Sequence, residues 1–180
     1  MNSEEVISHT TQWIEKIVIG CNFCPFAAKV LKQDSIQFEV LKDAGPKSAL
    51  NALSVLFSNM EDDAFIETSL LIMPGVFPEF AAYLQVLKQA ESLLYRKKFD
   101  GIFQLASFHP LYVFAGSEET DPANYTNRSP YPMIHILRED SVTAALESYP
   151  KANEIPDNNI HTARKIGLAQ MVRLRDACFK

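Results

Sequence analysis

The strongest constraint on the fold is the order of strand-like and helix-like segments in the first two thirds of the chain. Residues 36–40 alternate apolar and polar side chains, as in a strand with one solvated face. A helical apolar stripe over residues 49–60 leads to residues 70–73, a continuous apolar run typical of a buried strand. A long helix over residues 78–97 leads to a third strand, residues 102–108. This order predicts two consecutive β-α-β units with parallel neighbouring strands.

The flanking segments complete the predicted fold. Before the first strand the pattern predicts a helix over residues 6–18, stopped by Gly20 in a left-handed conformation, and a short helix that begins at Pro25. The other predicted features are a turn at residues 43–46, an irregular loop at 109–132, a strand at 133–138, a helix ending near Ser148 and a last helix opened by Pro156. We predict an α/β or α+β protein with a mixed sheet of about four strands, in a single domain over residues 1–180. The strand order and the number of covered sheet faces stay open.

Charge and composition limit the possible partners. With a net charge of −5, the chain is not expected to bind nucleic acid, and no apolar stretch is long enough to predict a membrane partner. The start of the chain lacks the pattern of a secretory signal, and the three cysteines are an odd number, so we predict a cytoplasmic protein with reduced thiols. The histidines lack metal-ligand spacing and no nucleotide or hydrolase signature is present, which predicts neither a metal nor a cofactor. The oligomeric state stays open.

The loop at residues 109–132 is the first candidate functional segment. Long irregular loops inside compact domains are uncommon and often functional, and ligands of open α/β sheets bind beyond the carboxyl ends of the strands. His109 lies at such an end and could act as a general base, although it could equally bond a backbone group. Arg128 could clamp a carboxylate or phosphate, with Asn127 and Ser129 orienting the ligand, or could hold the loop through an internal acid.

Cys24 is the second candidate. If Pro25 is the first helical residue, the Cys24 thiol caps a helix and faces its positive dipole end, which would favour the nucleophilic thiolate. The alternative is a small buried apolar residue. Cys21 and Cys24 also have the C-x-x-C spacing of a redox pair.

The segments CPFA, SFHPLYVFAG and NYTNRSPYP resemble those of an uncharacterised bacterial cytoplasmic family classed as a domain of unknown function. The resemblance runs from about Thr10 to Leu168. It implies a bacterial cytoplasmic protein and no particular reaction. Its pattern includes Cys24, His109 and the segment that holds Asn124, Tyr125, Asn127, Arg128 and Ser129, whereas Cys21 departs from it.

These residues lead to three hypotheses for function. The first is an enzyme or enzyme-like protein acting on a small anionic metabolite, with Cys24 and His109 as catalytic residues. Its ligand-binding residues would be Arg128, Asn127, Ser129, Tyr125 and Asn124. The second is a non-catalytic module that binds a ligand or partner, and the third is a thiol redox protein. The first requires Cys24 or His109 to lie beside Arg128 around an accessible cavity.

Overall fold

The computed structural model describes residues 1–42 and 45–180. Its four strands form one mixed sheet, and seven α-helices lie in the described residues. The strands are β1 (Ile36–Val40), β2 (Thr68–Ile72), β3 (Phe103–Phe108) and β4 (Met133–Arg138). The helices are α1 (Ser3–Trp13), α2 (Ala27–Lys32), α3 (Pro46–Asp62), α4 (Phe80–Arg96), α5 (Glu139–Ser148), α6 (Ile155–Ile166) and α7 (Leu168–Asp176). The predicted four-stranded mixed sheet is confirmed, in an α+β protein.

The strand order is β1-β2-β4-β3, and it corrects one prediction. β1 and β2 are parallel neighbours joined through α3, as expected. β2 and β3 are not neighbours, because β4 lies between them and pairs antiparallel with both. The sequence shows that α4 connects β2 to β3, but it does not show that a later strand pairs between them.

Helices cover both faces of the sheet. On one face, the α3/α4 face, residues such as Leu71 and Ile134 pack with the apolar stripes of those two helices. On the other, the α1/α6 face, residues such as Leu70 and Met133 pack with Trp13, Ala163 and other side chains of α1, α6 and α7. Because side chains alternate along a strand, a continuous apolar run such as β2 supplies both clusters.

Two helix ends and the long loop differ from the sequence-based predictions. Gly20 ends a π-helical segment, Ile14–Ile19, with φ −62°, so it is not a left-handed stop. The predicted last helix is two helices, because Gly167 adopts φ 84° between α6 and α7. The irregular loop contains one short 3₁₀ helix, Pro122–Thr126. The predicted turn at residues 43–46 begins outside the described residues.

Candidate functional site

A cavity of about 280 Å³ lies on the α1/α6 face of the sheet. All four strands contribute to its floor, through Ile36, Thr68, Leu70, Gln104, Ala106, Phe108, His135 and Leu137. Its walls include Trp13, Ile14 and Val18 of the first helical region, Cys24, Phe26, Ala27 and Val30 around α2, and Ser141, Val142 and Ala145 of α5. Most of these side chains are apolar, so the cavity would exclude a strongly hydrated ligand.

The cover of this cavity is thin. α2 has six residues, and neither α2 nor α5 contains a fully buried residue. Phe26, just before α2, contacts Tyr149, just after α5, in an edge-to-face arrangement with 5.9 Å between ring centroids. The cavity is therefore partly covered by two helices that have few buried anchors.

The cavity lies along one face of the sheet, from Phe108 at the carboxyl end of β3 to the end opposite the predicted crevice. We expected ligands beyond the carboxyl ends of β1, β2 and β3. The lining instead includes Ile36, Thr68 and Gln104, which lie at the amino ends of these strands. The reason is the direction of β4: it runs antiparallel to β2 and β3, so α5 leaves its carboxyl end beside their amino ends.

His135 is the central polar group on the cavity floor. Its Nε2 lies 2.5 Å from Oγ1 of Thr68, and that same hydroxyl donates to the carbonyl oxygen of Ile136 at 2.5 Å. Burial lowers the pKa of His135 to about 4, so the imidazole is neutral near pH 7. A neutral imidazole in an apolar cavity can orient a ligand through a hydrogen bond.

Cys24 lines this cavity but does not cap a helix. α2 begins at Ala27, and its cap residue is Phe26. The backbone nitrogen of Ala27 donates to the carbonyl oxygen of Cys24 at 3.3 Å, so a turn precedes the helix. The predicted position of Cys24 as a helix cap is therefore wrong. The thiol is partly exposed and free.

Cys21 differs from Cys24 in its surroundings. It packs at the edge of the apolar cluster on the α1/α6 face and is absent from the described cavity lining. Burial raises the pKa of the Cys21 thiol, which disfavours the reactive thiolate. A redox function for the pair stays a prediction.

His109 is fully buried on the opposite face of the sheet from the cavity. Its ring packs on Phe80 and Tyr83 of α4, with centroids 5.2 and 5.1 Å away. Nε2–H donates to the carbonyl oxygen of Phe77 at 3.0 Å, and Nδ1 accepts from the backbone nitrogen of Leu111 at 3.0 Å. Burial lowers the pKa of His109, while the bond to Phe77 opposes that shift. Both nitrogens thus have backbone partners.

Arg128 ties the long loop together. Its Nε donates to the carbonyl oxygen of Tyr112 and its Nη2 to that of Glu119, both at 2.9 Å. The guanidinium carbon lies 4.9 Å from the centre of the Tyr125 ring, a cation–π contact. The partners of Arg128 are therefore two carbonyl oxygens and one ring of its own loop. They do not include the internal acid that was one of the sequence-based alternatives.

The other predicted ligand residues also bond the loop. Asn124 accepts from the backbone of Phe114 and donates to the carbonyl oxygen of Glu118. Asn127 donates to the carbonyl oxygen of Ser107. Ser129 donates to the backbone of its neighbour Tyr131, and Tyr125 is almost fully buried. Ligand binding by these residues stays a prediction.

The structure does not bring the predicted site residues to one cavity. Cys24 lies on the α1/α6 face, whereas His109 packs against α4 on the other face. None of residues 109–132 appears in the described cavity lining. His135, which lies within the predicted strand at residues 133–138 and was not among the candidate site residues, shares the cavity with Cys24. The available signal was a histidine at the polar position of an otherwise apolar strand, MIHIL.

No group of three or more histidine, cysteine, aspartate or glutamate side chains in the described residues could hold a metal ion. Within the same residues, no helix is long and apolar enough to cross a membrane.

The fold and the cavity define an α+β protein with a mostly apolar pocket on one face of its sheet. The chain belongs to the family described as "Protein of unknown function (DUF1415)", whose family model matches residues 5–173. The resemblance to a domain of unknown function is thus confirmed. A search of curated proteins gave no match, and a search of solved structures gave none either.

Proposed function

We propose that this protein binds a small, largely apolar molecule in the cavity on the α1/α6 face. The observation that carries the proposal is the cavity itself. Protein interiors are close-packed, whereas a partly open space of about 280 Å³ lies here between the sheet and the helices that cover it. A mostly apolar lining with a few polar groups is typical of small-molecule sites.

The charges around the cavity favour a neutral ligand. Glu67 is the acidic residue of the described lining and Arg138 the basic one. Arg138 donates to carbonyl oxygens, including those of Asp63 and Ile66, so its guanidinium already has partners. His135 is neutral near pH 7 because of its lowered pKa. With one acidic and one basic residue in the described lining, the cavity has no net positive charge, which supports the binding-module hypothesis over one that requires an anionic metabolite.

The enzyme hypothesis keeps one residue in this cavity. Cys24 lines the wall, so a bound molecule would lie near its thiol. His109 and Arg128 lie elsewhere and have backbone partners. Catalysis stays a prediction. A reaction in this cavity would use Cys24 together with His135, since both line it.

The test is a titration followed by methyl NMR, with benzofuran and toluene as probes. Binding in the cavity should shift the methyl signals of Ile14, Val30 and Val142, which line it, and leave those of Leu53 and Leu56 on the other sheet face unchanged. Equal shifts on both faces, or none with either probe, would contradict the proposal.

A matched pair of variants on α5 adds a steric control. Ala145 lines the cavity, whereas its neighbour Ala144 is exposed. Ala145→Phe places a ring in the ligand's space and should weaken benzofuran binding by at least about tenfold, a loss of about 1.4 kcal/mol. Ala144→Phe adds the same ring outside and should leave the affinity unchanged.

A further inference from the structure

The Thr68 hydroxyl determines which nitrogen of His135 carries the proton. A carbonyl oxygen can only accept, so the 2.5 Å contact between Thr68 and Ile136 requires the single hydroxyl proton to point at that carbonyl. The hydroxyl therefore has only a lone pair to offer His135. Since Nε2 of His135 lies 2.5 Å from the same oxygen, Nε2 must carry the proton and donate.

Nδ1 of His135 is left as an acceptor that faces open space. In the neutral ring, only one nitrogen carries a proton, so Nδ1 has a free lone pair. It has no hydrogen-bond partner among the described residues. The same part of the chain contains no fully sealed side-chain nitrogen or oxygen without a partner, so Nδ1 stays open to the cavity that His135 lines.

We infer that the ligand of the cavity is an uncharged molecule that donates a hydrogen bond to Nδ1 of His135, and that Thr68 is the positioning residue that imposes this requirement. The inference rests on the proposed function. A donor such as an N–H or O–H would satisfy Nδ1 inside an apolar space, where an unpaired polar group is unfavourable. A ligand with only acceptor atoms would leave Nδ1 unpaired and place two lone pairs face to face.

Indole and benzofuran test this requirement directly. They have nearly the same shape, but indole carries an N–H where benzofuran carries an oxygen. The ratio of the benzofuran Kd to the indole Kd should be about fivefold higher in the wild type than in Thr68→Val, because one hydrogen bond of ordinary strength is gained. Comparing ratios removes the intrinsic difference in hydrophobicity between the two probes.

Thr68→Ser is the matched control. It keeps the hydroxyl that donates to Ile136 and accepts from His135, so it should keep the wild-type ratio. Thr68→Val has the shape of threonine without the hydroxyl, so the Nε2 proton loses its partner, the ring can carry its proton on Nδ1 instead, and the preference for indole should fall. A ratio equal in all three proteins overturns the inference while the proposed function stands. Failure of both probes to bind overturns both.

The tautomer itself can be observed without any variant. The ¹⁵N chemical shifts of the His135 ring at pH 7 should show a protonated Nε2 and an unprotonated Nδ1, and indole should shift the Nδ1 signal more than benzofuran does. A protonated Nδ1 in the free protein would overturn the inference even if both probes bind.

Discussion

His109 and His135 show how hydrogen-bond partners decide what a residue can do. Both imidazoles are held by groups that are distant in sequence, His109 by Phe77 and His135 by Thr68. His109 has both nitrogens engaged by backbone, whereas His135 keeps Nδ1 open to a cavity. His109 was a candidate catalytic residue from sequence because it follows a predicted strand and begins a long irregular loop. The sequence could not show which imidazole has a free nitrogen, since that depends on tertiary contacts.

The lowered pKa of His135 predicts a loss of stability on acidification. In the unfolded chain a histidine titrates near its ordinary value of about 6.5, whereas in the folded protein the pKa of His135 is about 4. Between these values the unfolded state binds more protons, so the free energy of unfolding falls as the pH falls from about 6.5 towards 4. The contribution of His135 is roughly 3 kcal/mol between pH 7 and pH 4.

Urea unfolding of wild type and His135→Gln at pH 7, 5.5 and 4 measures this contribution. The glutamine amide can still donate to Thr68 but does not titrate. Between pH 7 and pH 4 the free energy of unfolding of the variant should therefore fall by roughly 3 kcal/mol less than that of the wild type. His161→Gln removes an exposed imidazole on α6 and is the control. Identical pH dependence of wild type and His135→Gln would contradict the assignment of a low pKa to His135.

At the scale of elements, the end of the first helical region depends on Gly20. A Cβ added there would clash with the carbonyl oxygen of Lys16, because the π-helical segment brings that carbonyl close. Gly20→Ala should therefore lower the free energy of unfolding by roughly 2 kcal/mol. Thermal and urea denaturation would measure the loss. Gly45→Ala, whose added Cβ meets nothing within 4 Å, should lower it much less.

The elements predicted best from sequence are those with long, regular apolar patterns. β1 coincides with the predicted alternation at residues 36–40, and α4 lies within the predicted residues 78–97. The start of α2 was predicted wrongly because Pro25 suits a turn as well as a first helical residue. The division of the last helix into α6 and α7 at Gly167 was not predicted, because apolar residues recur at helical spacing on both sides of that glycine.

At the scale of the whole molecule, strand order decides which residues can form a site. β4 is paired between β2 and β3, which puts His135 on the sheet floor and α5 over the cavity. Local periodicity predicts that β4 exists but not where it is paired. Of the predicted catalytic residues, Cys24 thus lines the cavity while His109 lies across the sheet. The cavity could not be predicted from sequence, because its lining comes from distant segments of the chain.

Filling the cavity should raise stability and remove binding together. Ala106 lies on the cavity floor, and Ala106→Leu would bury three more carbon atoms in open apolar space, a gain of up to about 2 kcal/mol in the free energy of unfolding. The same side chain would occupy the ligand's volume and abolish benzofuran binding. Ala82→Leu, at an exposed position of α4, should change neither quantity appreciably.

Urea denaturation and the methyl NMR titration applied to the same three proteins decide between a binding cavity and a packing defect. An Ala106→Leu protein that is more stable and no longer binds would show that the wild-type chain keeps an open volume at the expense of stability, which is expected where ligand binding requires that volume. An Ala106→Leu protein that still binds benzofuran with the wild-type affinity would contradict the proposed site, because the leucine side chain would occupy the space that the ligand needs.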